Sequence, residues 1–287
     1  MPSIVILAAG LGSRFGGDKQ LVEFGSRKLT LMEYNLLNAV QAGFDRVIFV
    51  IRPELKDILH QQVLPRLPAA LQYEIVFQTL ENVPAGCLVP KERSKPLGTA
   101  HALWCCRKLL TKSFAVINAD DYYGAQAFEL LLIQANKTAN YHLMVAYQLQ
   151  NTLSEFGSVN RGLCQFSPEY NLEHIEECEN IIEHKDKITG KVSLDDKIIE
   201  LDKNALISMN CWLFNTDIFP ILTEEISQVL QQNKLNAECY LPNVVMKQIM
   251  QQQKKVMVLK TTEQWFGLTY QQDSQKVNEK VDAIFTK

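Results

Sequence analysis

The sequence predicts an α/β fold: a Rossmann-like, doubly wound, mostly parallel sheet with an added lobe in its second half. Three observations carry this. Strand-like apolar runs alternate with helix-periodic segments through the first 150 residues, a winding that lays helices across a parallel sheet. The first strand hands over to LAAGLGSRFGGDKQL, Leu7 to Leu21, where four glycines accompany an arginine and a lysine, and open α/β sheets hold ligands at the carboxyl ends of their strands. Beyond about residue 150 the alternation gives way to mixed strands and loops.

Taken in order, the strands expected in the first half are Ser3 to Ala8, Arg46 to Ile51, Tyr73 to Gln78, Phe114 to Asn118 and Tyr141 to Leu149. Thr30 with Glu33 spells a capping box, Tyr34, Leu37 and Val40 line one face of the helix that follows, and Gly43 ends it. A second helix begins after Gly98-Thr99 with Leu103, Cys106 and Leu110 inward. A third follows Gly124 and carries Phe128, Leu131 and Leu132. In the second half the charged stretch from Glu176 to Lys203 reads as an exposed excursion or hairpin. Strands Ile207 to Phe214 and Val256 to Lys260, and helices Asp217 to Gln231, Leu241 to Gln252 and Ser274 to Ile284, complete the chain. The reading is one domain over 1-287, with 1-150 binding nucleotide and 151-287 receiving the second substrate.

Composition narrows the function. With 287 residues, 47% of them hydrophobic, the chain can bury a large core. A net charge of -3 with scattered lysines and arginines offers no basic surface, so no nucleic acid partner is expected. No segment approaches the roughly 20 apolar residues of a membrane span, and the expected location is cytoplasmic. Seven cysteines without a C-x-x-C pair read as reduced thiols.

The glycine stretch can be tested against known phosphate loops. The dinucleotide fingerprint G-x-G-x-x-G needs a third glycine where Phe15 stands, and the second strand ends in Ile51, Arg52 and Pro53 without a carboxylate for a ribose. The Walker loop needs a lysine where Asp18 stands and a hydroxyl where Gln20 stands. What remains is a glycine loop with its own cations, Arg14 and Lys19, which can reach different phosphates of one polyphosphate.

Two further sets face the same end of the sheet. In PLGTAHAL, Gly98 and Thr99 open a helix whose free N-H groups can meet an anion or a base edge, with Gln78 at the end of the preceding strand. In FAVINADDYYG an apolar strand delivers Asp120 and Asp121 together. Paired carboxylates are costly there without a cation, and Mg²⁺ with phosphate oxygens is the natural occupant. Asp120 is the metal candidate, whereas Asp121 reads either as its partner or as the cap of the next helix. His101 reads as packing or a base contact.

With EFGSVNRG at Glu155 to Gly162, IEE at Ile175 to Glu177, SMNCWLF at Ser208 to Phe214 and QWFGLTYQQD at Gln264 to Asp273, the chain resembles the sugar-phosphate nucleotidylyltransferases, the NDP-sugar pyrophosphorylases, over nearly its whole length. The opening segment is also similar to methylerythritol phosphate cytidylyltransferase and molybdenum cofactor guanylyltransferase. The resemblance implies a nucleotidyltransferase-type fold with a sugar-binding lobe, an NTP and a sugar 1-phosphate as substrates, and Mg²⁺. It implies that Leu7, Ala8, Ala9, Gly10 and Gly12 hold the nucleotide, Arg14 the leaving pyrophosphate, and Lys19 the α-phosphate and incoming phosphate. Gln78, Gly98 and Thr99 would read the base, Asp120 would bind Mg²⁺, and Gly157, Glu177 and Asn210 would contact the sugar.

Two departures stand out. Cys178 and Glu179 follow Glu177 where many members have Lys-Pro, and Gly267 occupies the acid position of the motif W-x-D-x-G-T. Asp273 is the candidate replacement for that second metal ligand. The stretch Leu80 to Lys95 is an insertion relative to the shorter family pattern. The alternatives are a cytidylyltransferase acting on a non-sugar alcohol phosphate such as phosphocholine, and a nucleotide-binding relative without turnover.

Overall fold

The computed structural model describes residues 3–10, 17–138, 140–185, 187–192, 197–268 and 270–286. Eleven strands form one sheet. They are β1 (Ser3–Leu7), β2 (Arg46–Ile51), β3 (Gln72–Phe77), β4 (Phe114–Asn118), β5 (His142–Gln148), β6 (Val159–Phe166), β7 (Leu172–His184), β8 (Lys187–Val192), β9 (Ile198–Leu201), β10 (Leu206–Phe214) and β11 (Val256–Lys260). The order across the sheet is β9-β8-β7-β6-β10-β4-β1-β2-β3, and β5 joins β10 to β11 beside that path.

The α/β expectation holds, but the sheet is mixed rather than mostly parallel. β4, β1, β2 and β3 run parallel, as do β5 and β11. β10 then enters antiparallel to β4, β5 and β6, and the ladder from β6 to β9 is antiparallel throughout. The described parts of the charged Glu176 to Lys203 stretch therefore include sheet strands, with β7 and β8 paired as the hairpin that was one of the two expectations, and their polar alternation reflects one solvated face.

Helices α1 (Leu31–Ala42), α2 (Thr99–Cys105), α3 (Ala125–Ala135), α4 (Ile218–Gln231), α5 (Leu241–Met250) and α6 (Asp273–Phe285) cover the sheet. Side chains alternate across a strand, and the fully buried β1 shows the result. Ile4 and Ile6 pack with Leu36 of α1 and Phe128 of α3, whereas Val5 and Leu7 pack with Leu103 of α2 and residues of α4 and α5. A third cluster joins Val277 and Val281 of α6 to Phe24 and Tyr34.

Local signals account for α1. The Thr30 backbone N-H donates to Glu33 Oε2 (2.8 Å), the Glu33 N-H donates to Thr30 Oγ1 (3.3 Å), and Gly43 closes the helix at φ 112°. Such a cap contributes about 1 kcal/mol.

Candidate active site

The carboxyl ends of β1 and β4 meet at a cleft of about 590 Å³. Leu7, Ala8, Ala9, Gly10, Lys19, Gln78, Gly98, Thr99 and Asp120 all line it. Nine of the residues singled out in the sequence thus converge, although they come from four separate stretches of chain. Gly12 and Arg14 lie outside the described residues.

Lys19 and Asp120 form an ion pair, and Lys19 Nζ also donates to the Leu268 carbonyl (3.3 Å). Both side chains keep contact with solvent, at 28% and 20% exposure. A cation and a carboxylate side by side at two parallel strand ends can meet, respectively, a phosphate and the metal that accompanies it.

At the other end Gly98 precedes α2 at φ 92°, where a Cβ would stand 2.5 Å from the Cys239 carbonyl oxygen. Only glycine fits. Gln78 Nε2 donates to the Gly98 carbonyl (3.0 Å) and lies 3.2 Å from His101 Nδ1. His101 is fully buried, its Nε2 is 2.6 Å from the Asn82 carbonyl, and burial holds its pKa below the usual histidine range. A neutral ring donating from Nε2 to Asn82 leaves Nδ1 to accept from Gln78. The Gln78 amide nitrogen is then fully engaged, and its carbonyl oxygen is the end left to accept. The Thr99 hydroxyl accepts from the Leu241 N-H (2.9 Å), tying α2 to α5.

Asp121 does not cap α3, whose N-cap is Gly124. Its carboxylate is buried and accepts from Asn118 Nδ2 (2.8 Å) and the Tyr123 hydroxyl (3.1 Å). Burial, reinforced by Asp120, pushes its pKa up to about 7. A Cβ on Gly267 would lie 2.5 Å from Asp121 Oδ1. A side chain at position 267 would therefore meet the Asp121 carboxylate, which lies opposite it in the short pairing of Asp121–Tyr122 with Phe266–Gly267.

The remaining sequence candidates disperse. Gly157 and Asp273 line a second cavity rather than the cleft. The Asp273 carboxylate accepts from Ser154 Oγ (3.1 Å) and the Tyr270 N-H (2.6 Å) at the start of α6. Glu177 stands opposite Gly162 in the β6–β7 ladder. Asn210 adopts φ 61° at an irregularity of β10 between Ser208 and Cys211, donates to Asn118 Oδ1 (2.7 Å) and accepts from Trp212 Nε1 (2.8 Å). It reaches the cleft only through Asn118, which lines it.

Arg161 was not singled out in the sequence, yet it lines both the cleft and the second cavity at 8% exposure. Its signal was available: on β6 it shares the inward face with Val159, so an arginine occupies an apolar register position.

The fold has close structural parallels. A UDP-glucose pyrophosphorylase complexed with UDP-glucose superposes with a TM-score of 0.64 at 14% identity, covering 99% of this chain and 99% of that one. The inositol-1-phosphate CTP transferase from T. maritima gives 0.63 at 14% identity, covering 98% and 96%. UDP-glucose pyrophosphorylase from Acinetobacter baumanii gives 0.58 at 15% identity, covering 100% and 99%. No curated protein matches the sequence. At these identities the structures speak for the fold, while the sequence pattern of the nucleotidyl transferase family matches residues 3–281. The chain belongs to the nucleotidyl transferase family.

Proposed function

We propose that this protein moves a nucleoside monophosphate from an NTP to a sugar 1-phosphate, releasing pyrophosphate and forming an NDP-sugar. The observation that carries the reading is the Lys19–Asp120 pair in the same cleft as Gln78, Gly98 and Thr99. A base held at Gln78 and Gly98 directs its phosphates toward the ends of β1 and β4. The acceptor phosphate is already a dianion near neutral pH, since its second ionisation lies near pH 6, so the reading needs no general base. Lys19 would hold the α-phosphate and the incoming phosphate in line, and Arg14 the departing pyrophosphate, work that is mainly positioning and charge stabilisation. Gly157, Glu177 and Asn210 are the proposed sugar contacts.

Asp120 is the residue that would hold Mg²⁺. Among the described residues no group of three His, Cys, Asp or Glu side chains could hold a metal ion by itself. A single partly exposed carboxylate, paired with Lys19 in this structure, suits an ion that completes its shell with phosphate oxygens and water. When bound, Mg²⁺ neutralises phosphate charge. Among the described residues no helix is long and apolar enough to cross a membrane.

The test is pyrophosphate release from each of the four NTPs against a panel of sugar 1-phosphates, with phosphocholine as the non-sugar arm. Release with a hexose 1-phosphate or a close relative supports the reading. Turnover of phosphocholine with CTP alone would overturn the sugar assignment and leave nucleotidyl transfer standing. No release with any pair would favour a binding protein without turnover.

A further inference from the structure

The second cavity, about 570 Å³, lies between the 150–157 segment, Trp265 and α6, and shares Arg161 with the cleft. Three of the residues that line it carry donor groups short of acceptors among the described residues. Trp265 is 6% exposed, and its Nε1 is buried with no hydrogen-bond partner. Among the described residues Arg161 bonds to the Asn160 carbonyl (2.8 Å), the Thr152 carbonyl (2.6 Å) and the Thr152 hydroxyl (3.4 Å), which leaves one N-H on each terminal nitrogen for a further acceptor. No carboxylate reaches ion-pair distance of it among the described residues, although its guanidinium stacks 4.8 Å from the Trp265 ring centroid. Lys280, on α6, makes no hydrogen bond or ion pair among the described residues, and its ammonium lies 5.4 Å from the Phe266 ring centroid.

The acids facing this cavity are mostly committed. Glu155 pairs with Lys276, Asp273 accepts from Ser154 and Tyr270, and Glu183 sits on an exposed end of β7. Burial draws Arg161 down to about 10 and also lowers Lys280, with Lys276 adding to the effect on Lys280. Asp121, Glu177 and Asp273 attract Arg161 from beyond ion-pair distance, and an anion at its spare donors offsets more of the cost of burying it.

We infer that the second cavity binds a small oxyanion, a phosphate or carboxylate group, between Lys280, Trp265 Nε1 and the Arg161 guanidinium. This goes beyond nucleotidyl transfer and does not rest on it, because the binding needs neither NTP nor metal. The group can arrive as a free anion or as a substituent of the acceptor.

The probe is inorganic phosphate, titrated into the full chain without NTP or Mg²⁺ and followed by calorimetry and tryptophan fluorescence. Trp104 and Trp212 lie in the core layer on the opposite face of the sheet, so a fluorescence response lost in Trp265→Phe reports the cavity. Lys280→Met should weaken this binding about tenfold or more, as expected for a removed charge-assisted bond. Lys19→Ala should leave it within about twofold, since Lys19 belongs to the cleft. Binding that vanishes in Lys19→Ala and persists in Lys280→Met would overturn the inference, as would no binding up to about 50 mM phosphate. The source is read from turnover. A KM for a uronic sugar 1-phosphate that Lys280→Met raises, with the plain hexose 1-phosphate unaffected, assigns the anion to the acceptor, whereas equal KM values assign it to a free anion.

Discussion

Gly267→Ala should destabilise the protein by crowding, most of all against Asp121. Its Cβ would sit 2.5 Å from Asp121 Oδ1, 2.8 Å from Trp265 Cζ2 and 3.1 Å from the Asp120 carbonyl oxygen, whereas ordinary contact begins near 3.4 Å. Asp121 cannot retreat easily, because Asn118 Nδ2 and the Tyr123 hydroxyl hold its other oxygen. Overpacking of this kind costs about 1–3 kcal/mol, and each kcal/mol lowers Tm by roughly 2–4 °C in a chain of this size. Thermal and urea denaturation measure it. The decisive comparison is the same substitution in an Asp121→Ala background, where the obstructing oxygen is gone and the cost should shrink by about 1 kcal/mol or more. An equal cost in both backgrounds, or a cost below about 0.5 kcal/mol in the wild-type background, would refute the claim that a side chain at position 267 meets the Asp121 carboxylate.

Further outcomes follow from the same geometry. Asp121 holds its proton more tightly folded than unfolded, with a folded pKa near 7 against an ordinary 3.8, so its contribution to stability is fully present below about pH 4 and is lost as pH rises toward 7. Urea midpoints of wild type and Asp121→Asn should therefore diverge over that window, with the wild type losing ground as pH rises. Arg93→Met removes donors to the carbonyls of Lys95, Pro96, Lys234 and Leu235. It should cost about 3 kcal/mol and weaken NTP binding measured by calorimetry, because Lys95 and Pro96 line the cleft. Asp273→Asn should leave the Mg²⁺ dependence of turnover unchanged while lowering stability by about 1 kcal/mol, and a shifted Mg²⁺ titration would put Asp273 in the metal site.

What could be read in the sequence depended on how far each signal reached along the chain. The capping box at Thr30 and Glu33 and the closing Gly43 are local, and both appear as expected. The set that lines the cleft was legible because Leu7 to Gly10, Gln78 and Asp120 sit at or just beyond strand ends, while Gly98 and Thr99 mark the opening of a helix. Asp121 was ambiguous, since a carboxylate four residues before a helix reads as a cap until its neighbour across the chain, Gly267, is known. The fork at Asn210 was invisible for a similar reason: β10 pairs with three strands distant in sequence, and the left-handed turn that lets it do so belongs to an asparagine. The charged stretch from Glu176 to Lys203 read as an excursion or hairpin, and its place in the main sheet was hidden because half of each strand faces water and carries charge. Arg161 combined both difficulties, a charged residue in an inward register whose surroundings come from the 150–157 segment and Trp265.

The most direct test of the cleft as a nucleotidyl transfer site is the rate of pyrophosphate release by Lys19→Ala, measured beside its folding. Lys19 is partly exposed and packs no core, so the variant should keep the wild-type denaturation midpoint. Its amine is assigned to charge that develops during transfer, and loss of such a donor costs about 3 kcal/mol, on the order of a hundredfold in rate. A folded Lys19→Ala protein with turnover reduced by about that factor or more is the expected result. A folded variant within about threefold of wild type, less than 1 kcal/mol, would contradict it.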